Sequence, residues 1–188
     1  MASVIQSEPD LVLVGQASNG REAIQLFRQH RPDLILMDLR MPEMDGVEAT
    51  SAIRAQWSDA RIVILTTFKG DAQALRALQA GASGYLLKST IRTALLEAIH
   101  SVMAGRRFIP SEIAAELAAH VTDDALSPRE MEVLKQVAAG NSNRRVAVHL
   151  ALSEDTVKSH MKSIMSKLAA NDRTHAVTIA VKRGIIEV

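Results

Sequence analysis

Residues 126–168 read LSPREMEVLKQVAAGNSNRRVAVHLALSEDTVKSHMKSIMSKL, and this stretch decides the fold of the C-terminal part of the chain. Apolar residues recur in it at helical spacing, and breakers interrupt them at short intervals. Together with the residues that follow, the pattern predicts four helices, at 128–139, 143–150, 154–168 and 174–183. Only residues 151–153 separate the second helix from the third, which is the tight connection of a helix-turn-helix.

Serine residues stand where three of these helices should begin. Ser127 precedes Pro128, which fits a first helical position, and Glu130 completes a capping box. Ser142 and Ser153 can cap the second and third helices in the same way. We expect Gly140 to end the first helix and Gly184 the last, because a helix commonly ends at a residue in the left-handed conformation.

The third predicted helix has two different faces. A core face is formed by Val157, Met161, Ile164 and Leu168, while Lys158, Ser159 and Lys162 point another way. Lysine donates to guanine O6 and N7 or to phosphate, and serine to either, so this second face could enter a DNA major groove. Taken alone, the same face also fits an ordinary solvated surface.

The charges of the chain are unevenly distributed. Residues 1–125 carry 12 Lys and Arg against 15 Asp and Glu, whereas residues 126–188 carry 10 against 6. The C-terminal part is therefore the better partner for a polyanion.

The N-terminal part alternates strand-like and helix-like segments. Apolar runs at 11–15, 33–37, 61–66 and 84–88 predict strands, and helices are expected to begin near Gly20, Gly46, Asp71 and Ser89. Strands composed almost entirely of Leu, Ile and Val are buried on both faces, as in a parallel sheet covered by helices. The predicted fold class is α/β, doubly wound.

A reactive or charged residue follows three of the predicted strands, namely Asp38, Thr66 and Lys88. Because ligands bind at the carboxyl ends of such sheets, these side chains should converge on one edge. A carboxylate beside a cation and a hydroxyl suits phosphoryl chemistry. Each residue alone would more often be a helix cap or a solvated side chain.

Three segments, MDLRMPEMDG (37–46), LTTF (65–68) and GASGYLLKS (81–89), occur in an order and spacing that resemble the receiver domain of two-component response regulators. The resemblance implies a flavodoxin-like fold in which Asp38 accepts a phosphoryl group from a sensor histidine kinase. It also implies a switch hydroxyl at Thr66, a conserved lysine at Lys88 and a rotating aromatic at Tyr85. Mg²⁺ would be held by Asp38, the backbone carbonyl of Arg40 and an acidic pair.

The chain departs from the receiver pattern at its start, where residues 1–11 match the end of the first receiver helix and the entry to the second strand. The first strand, with its acidic pair, is thus expected to be absent. We expect an incomplete metal site and poor phosphorylation of Asp38. The gap in the sheet could then be closed by direct pairing of the strands at 11–15 and 33–37 or by a strand from another chain, or it could be accommodated by local disorder.

Residues 126–188 resemble the LuxR-type DNA-binding domain through SPRE, GNSN, SEDTVKSH, KL and NDRT. The resemblance implies that Lys158, Ser159 and Lys162 face bases. Residues implied to contact phosphate or to support the fold are Asn143, Arg144, Thr156, His160 and Lys167. Arg145 stands where the family usually has Glu, and Asn141 where it has Leu.

These observations predict a receiver domain at 1–104, a helical linker at 105–125 and an all-α four-helix LuxR-type domain at 126–188. The linker should contain a helix at 111–121 and a polar hinge, TDDA, at 122–125. By resemblance, the last helix would present Ala176, Ile179 and Ala180 to a second copy, so that a homodimer binds two half-sites.

The predicted function is that of a cytoplasmic transcription regulator, not an enzyme. Its expected partners are promoter DNA, a histidine kinase and RNA polymerase, and no membrane, because no run of about 18 apolar residues occurs. The absence of cysteine excludes thiolate zinc sites and cysteine nucleophiles. One alternative is an interaction module whose mixed dimers inhibit a full-length regulator. A phosphoaspartate-hydrolysing enzyme is disfavoured by the missing metal ligands.

Overall fold

The computed structural model describes Ile5 and residues 8–67, 70–119 and 125–186. The chain divides into two compact units, Met1–Lys69 with Ala74–Ala114, and Gly70–Gln73 with Ala115–Val188. The domain limits at 104 and 126 remain predictions. Phe68 of the LTTF segment, the end of the predicted linker helix at 120–121 and residues 122–124 of the hinge lie outside the described residues.

The first unit contains a parallel sheet in the order β1-β2-β3. Its strands are β1 (Ile35–Asp38), β2 (Ile62–Thr66) and β3 (Gly84–Leu87). Before residue 125, the described residues form the helices α1 (Gly20–His30), α2 (Gly46–Gln56), α3 (Asp71–Gln79), α4 (Ile91–Met103), which follows a 3₁₀ turn at Lys88–Thr90, and α5 (Ser111–Ala119). Helices α3 and α5 each contribute residues to both units. The α/β fold class is confirmed, and helices begin at three of the four positions that the sequence indicates.

The middle strand, β2, is buried along its whole length. Val63 and Leu65 on one side of it pack with Leu95 and Val102 of α4, while Ile62 and Ile64 are fully buried on the other side. The backbone of Phe108 covers the far edge of β3, where its carbonyl accepts from Tyr85 N at 2.8 Å. The uniformly apolar strand sequence thus reflects burial on both faces.

The strand predicted at 11–15 is wrong, because the structure forms no strand there. A strand exists only when its backbone groups have a partner, and residues 11–15 have no strand partner among the residues that the structure describes. Direct pairing of this segment with β1 is therefore excluded. Val12 is 81% exposed, in keeping with a segment outside the sheet.

The loop after β1 depends on a close backbone approach at Gly46. Asp45 caps α2 in a capping box with Glu48, and Gly46 N donates to Leu39 O at 2.9 Å. A Cβ atom on Gly46 would overlap the backbone oxygen of Asp38. The predicted helix start at Gly46 is confirmed, and glycine is required there by space.

The second unit contains the four helices predicted for residues 126–188. They are α6 (Pro128–Ala138), α7 (Asn143–Leu150), α8 (Glu154–Lys167) and α9 (Arg173–Lys182). Ser127, Ser142 and Ser153 cap the first three as expected, and Glu130 completes the capping box of α6. Ala151 takes the left-handed conformation in the tight turn between α7 and α8.

The core of this unit is apolar and continuous. Val157, Met161, Ile164 and Leu168 all lie in it, as the spacing on the third helix predicts. They pack with Val133 and Leu134 of α6, which are fully buried. Because the apolar face of α8 packs into the core, it determines which side chains of α8 lie at the protein surface.

Replacing Gly46 by Ala should destabilise the first unit by at least about 2 kcal/mol, because the added methyl group meets backbone that cannot move aside cheaply. Urea unfolding measures the loss. Gly15→Ala is the matched control, since a Cβ there makes ordinary contacts at 3.6 and 3.8 Å, and it should change stability by less than about 0.5 kcal/mol. Equal effects of the two variants would contradict this explanation.

Candidate nucleic-acid interface and phosphoryl site

The outer face of α8 is polar and accessible. Lys158, Ser159 and Lys162 are exposed, opposite the apolar residues that face the core. Lys158 Nζ lies 3.0 Å from Asp155 Oδ1, and this hydrogen bond, together with the charges of Asp155 and Glu154, raises the pKa of Lys158. An open groove is lined by Ser159, Lys162, Ser163, Ser166 and Lys167. The three predicted base-facing residues thus share one face.

Three of the residues implied to contact phosphate or support the fold make contacts within the unit, namely Lys167, Thr156 and Asn143. Lys167 Nζ donates to Glu130 Oε2 at 2.9 Å and to Ala125 O at 3.1 Å, so it holds α8 against the start of α6. The Thr156 hydroxyl lies 2.8 Å from Ser153 Oγ at the helix cap. His160 is half-buried, and Arg144 is exposed.

Glu130 is a buried carboxylate that joins α6 to α8. It accepts from Ser163 Oγ at 2.6 Å, from Lys167 and from Ser127 N, while only 5% of the residue is exposed. Burial by itself raises the pKa of Glu130, but the hydrogen bonds from Ser163, Lys167 and Ser127 outweigh it and lower the pKa to about 2. The sequence indicated only the capping role, because Ser163 and Lys167 are more than 30 residues away.

Two arginines that the sequence analysis did not single out fix the position of α7. Arg173 donates to the side-chain oxygen of Asn143 at 2.9 Å and to the backbone oxygen of Asn141. Arg129 donates to Leu150 O at 2.5 Å, at the other end of α7. Asn143, implied to contact phosphate or support the fold, thus contributes to the packing of the helix. Spacing gave no signal for these contacts, since both join distant parts of the chain.

The surface predicted for pairing on α9 is wrong in part. Ala176 and Ala180 are fully buried in the core of their own unit, and Ile179 packs against that core. Ala176 and Ala180 therefore cannot also face a second copy. The accessible side of α9 carries Thr174, Thr178 and Val181 instead.

The predicted phosphoryl site lies at the carboxyl edge of the sheet. Asp38 ends β1, Thr66 ends β2, and Lys88 directly follows β3. Lys88 Nζ donates to Asp38 Oδ2, and both side chains are about one third exposed. The structure therefore brings Asp38 and Lys88 into contact, with Thr66 one residue beyond the register partner of Asp38.

Tyr85, the predicted rotating aromatic, is completely buried within β3, where Ile64 is its register partner. In this conformation the ring belongs to the interior of the unit. An outward position would require the side chain to change rotamer.

The residues at this edge fit Mg²⁺ only in part. Both oxygens of Asp38 have partners, Lys88 and the amide of Arg40, the latter at 3.3 Å. The described parts of the chain contain no group of three or more His, Cys, Asp or Glu residues that could hold a metal ion. Mg²⁺ prefers an octahedron of oxygen ligands, and one carboxylate supplies little of it.

Comparison with known proteins identifies both units. Residues 1–100 match the family described as response regulator receiver domain, and residues 124–180 match bacterial regulatory proteins of the luxR family. The chain belongs to the LuxR family of response regulators. The receiver fold and the helix-turn-helix fold expected from the sequence are thereby confirmed.

Members of this family resemble the chain along most of its length. It is 37% identical to the uncharacterized transcriptional regulatory protein YxjL of Bacillus subtilis, over 98% of this chain and 89% of YxjL. A crystal structure of a LuxR-family response regulator from Aurantimonas sp. SI85-9A1 is 40% identical, with a TM-score of 0.61, and covers 64% of this chain and 86% of the other. RcsB from Salmonella enterica serovar Typhimurium, solved on promoter DNA, shares the fold at 24% identity and a TM-score of 0.71, with 96% and 90% coverage.

The family is one of transcription regulators, so the expectation that the chain is not an enzyme is confirmed by its relatives. Receiver domains of response regulators typically use Mg²⁺ at the phosphorylation site. In the described part of the chain, no helix has the length and apolar character that a membrane span requires.

Substituting Glu130 by Gln should lower the free energy of unfolding at pH 6 by about 3 kcal/mol, since a carboxylate with a folded pKa of about 2 and an ordinary value of 4.5 stabilises the fold when ionised. That stabilisation is fully present above about pH 4.5 and is lost as the pH falls towards 2. Urea unfolding between pH 6 and pH 2 measures it. The two proteins should converge at the acid end.

Glu132→Gln is the matched control, because Glu132 is exposed on the same helix and, among the described residues, pairs with Arg129 alone, at 2.5 Å. It should lose less than about 1 kcal/mol at any pH. A Glu130→Gln variant whose deficit does not depend on pH would contradict the assigned cause.

Proposed function

We propose that the chain regulates transcription by binding promoter DNA as a dimer, with α8 in the major groove. The observation that carries this proposal is the exposed face of Lys158, Ser159 and Lys162 on the second helix of a helix-turn-helix. In such motifs the second helix enters the major groove and its first residues contact base edges. Because bacterial promoter DNA lies in the cytoplasm, we place the protein there.

The polar side chains on α8 have two proposed roles: some contact DNA and others hold the helix in place. Lys162 and Lys158 can donate to guanine O6 and N7, and Ser159 can contact a base or a phosphate. Lys158 stays charged, because Asp155 raises its pKa. Lys167 turns inward to Glu130, so its role is to hold α8 at the angle that presents the DNA-contacting side chains.

For the dimer, we assign the accessible side of α9. Thr174, Thr178 and Val181 are exposed there, and Val181 is 38% exposed although it is apolar. Two copies of such a surface can meet in an isologous contact. This assignment replaces the predicted surface at Ala176 and Ala180, which the core already occupies.

In the first unit, we assign Asp38 as the phosphoacceptor and a histidine kinase as its source of phosphoryl groups. A lone pair of the carboxylate would form the new oxygen–phosphorus bond as the bond from phosphorus to its donor breaks. Lys88, in contact with Asp38, and Thr66, at the end of β2, are the groups placed to bind the transferred oxygens. No step is assigned to Mg²⁺, because the described ligands do not complete its site.

We further propose that the 188-residue form accepts phosphate slowly. Asp38 is the carboxylate at the sheet edge, and its two oxygens are engaged by Lys88 and Arg40 N. Among the described residues, no group of three or more His, Cys, Asp or Glu side chains could hold Mg²⁺ beside it, so the ion that would stabilise the transferred charge is poorly bound.

Lys162→Ala should weaken binding to a preferred duplex by about 5-fold to 150-fold, because each good base contact contributes about 1–3 kcal/mol of discrimination. The duplex is one that the wild-type chain selects from a random library, and gel shift measures its affinity against a scrambled duplex. Binding to the scrambled duplex should fall much less.

Arg92→Ala serves as control, since Arg92 is an exposed cation on α4 of the first unit. It should leave the preference for the selected duplex unchanged. Failure of the wild-type chain to bind any duplex at low salt would overturn the proposed function. If the chain then also lowered DNA binding by a longer relative, the inhibitory interaction module would be favoured.

Incubation of the chain with acetyl phosphate and magnesium should leave most molecules without a phosphoryl group, as measured by intact mass. The reason is that, among the described residues, no group of three or more His, Cys, Asp or Glu side chains could hold Mg²⁺ beside Asp38. Asp38→Asn is the control for the site. Complete gain of one phosphoryl group that disappears in this variant would refute slow acceptance and establish Asp38 as acceptor, whereas gain that persists in the variant would refute Asp38.

A further inference from the structure

The first turn of α7 carries two adjacent arginines, Arg144 and Arg145. Both are exposed. Within the described ranges neither side chain takes part in an ion pair, a hydrogen bond or a ring contact. This distinguishes them from Arg129 and Arg173, whose guanidinium groups are used to position α7.

Arg145 stands at a position where a cation is unfavourable. Ser142 caps α7, which makes Arg145 the third helical residue, close to the positive end of the helix dipole. At the same position α2 has Glu48 and α6 has Glu130, and each closes a capping box with its cap residue. The capping box thus stabilises the starts of α2 and α6, whereas α7 has the serine cap without the acidic partner.

The place of α7 in the unit indicates what could compensate for this arrangement. α7 packs directly on α8, and Arg173 ties its first residues to the start of α9. When the second helix of a helix-turn-helix lies in the major groove, the first helix crosses the sugar-phosphate backbone. Cations on α7 then lie close to a dense row of negative charge.

We propose that Arg145, beside Arg144 in the first turn of α7, binds a phosphate of the DNA backbone. This inference rests on the proposed placement of α8 in the major groove. The contact contributes affinity without reading sequence. Local helix stability is lower in the free protein as a result, because the DNA supplies the negative charge that the helix start lacks.

The test compares the full chain with its Arg145→Gln and Arg145→Glu variants by fluorescence anisotropy on a random-sequence duplex at several salt concentrations. One lost phosphate contact should reduce the salt slope of the logarithm of the binding constant by about 0.9, which weakens binding about 5-fold to 10-fold near 0.1 M salt. Arg145→Glu should weaken binding further, since it repels the phosphate.

The same variants should be at least as stable as the wild type. Arg145→Glu restores the S-x-x-E arrangement with Ser142, so its melting temperature should rise by about 2–5 degrees. A purely structural role for Arg145 predicts the opposite, a lower melting temperature together with weaker binding. Circular dichroism at rising temperature decides between them.

Arg92→Gln is the matched control for loss of one positive charge. Arg92 is exposed on α4 in the first unit, outside the surfaces assigned to DNA and to the dimer. It should leave the salt slope unchanged; an equal change in this control would show a net-charge effect and overturn the contact.

An unchanged slope in Arg145→Gln would also overturn the proposal and favour an acidic protein as the partner of this face. In that case the wild type still binds DNA, so only the role of Arg145 fails. If the wild type binds no duplex at all, the proposed function fails and the contact fails with it.

Discussion

The buried carboxylate of Glu130 is the interaction on which the arrangement of the helix-turn-helix depends. It accepts a hydrogen bond from the backbone N–H of Ser127 at the start of α6 and from the side chains of Ser163 and Lys167 on α8. One ionised group therefore caps one helix and holds a second helix against it. A charge buried in this way is costly unless each of its oxygens is hydrogen-bonded, and here both are. The exposed face of α8 carries Lys158, Ser159 and Lys162. Its position therefore depends on the buried hydrogen bonds of Glu130 as well as on apolar packing.

In the receiver unit, the parallel sheet positions the side chains of the predicted phosphoryl site. Because parallel strands end at the same edge, Asp38 and Lys88 meet although 50 residues separate them. The close approach of Gly46 to the backbone of Asp38 shapes the loop beside this pair. The edge holds a paired carboxylate, and among the described residues no group of three or more His, Cys, Asp or Glu side chains could hold the divalent cation there.

The helix starts show how local stability and binding are balanced. Asp45 and Ser127 begin their helices with complete capping boxes, and both helices support the interior. Lys158 and Asp155 on α8 form an exposed ion pair, which contributes little to stability. Separating this pair, so that Lys158 can bind another anion, therefore costs little free energy. At the start of α7, Arg145 departs from this favourable local pattern, in keeping with the DNA contact that we propose for it.

The sequence by itself determined the period of each helix, the serine caps, the glycine at position 46 and the apolar face of α8, because these depend on neighbours within one or two turns. It also indicated that Asp38, Thr66 and Lys88 share an edge, since this follows from parallel topology. Tertiary structure alone decided that residues 11–15 form no strand, since a strand requires a partner supplied from elsewhere. It likewise decided that Ala176 and Ala180 face inward and that Lys167 and Arg173 bind within the unit, because burial and pairing between distant residues are properties of the packed chain.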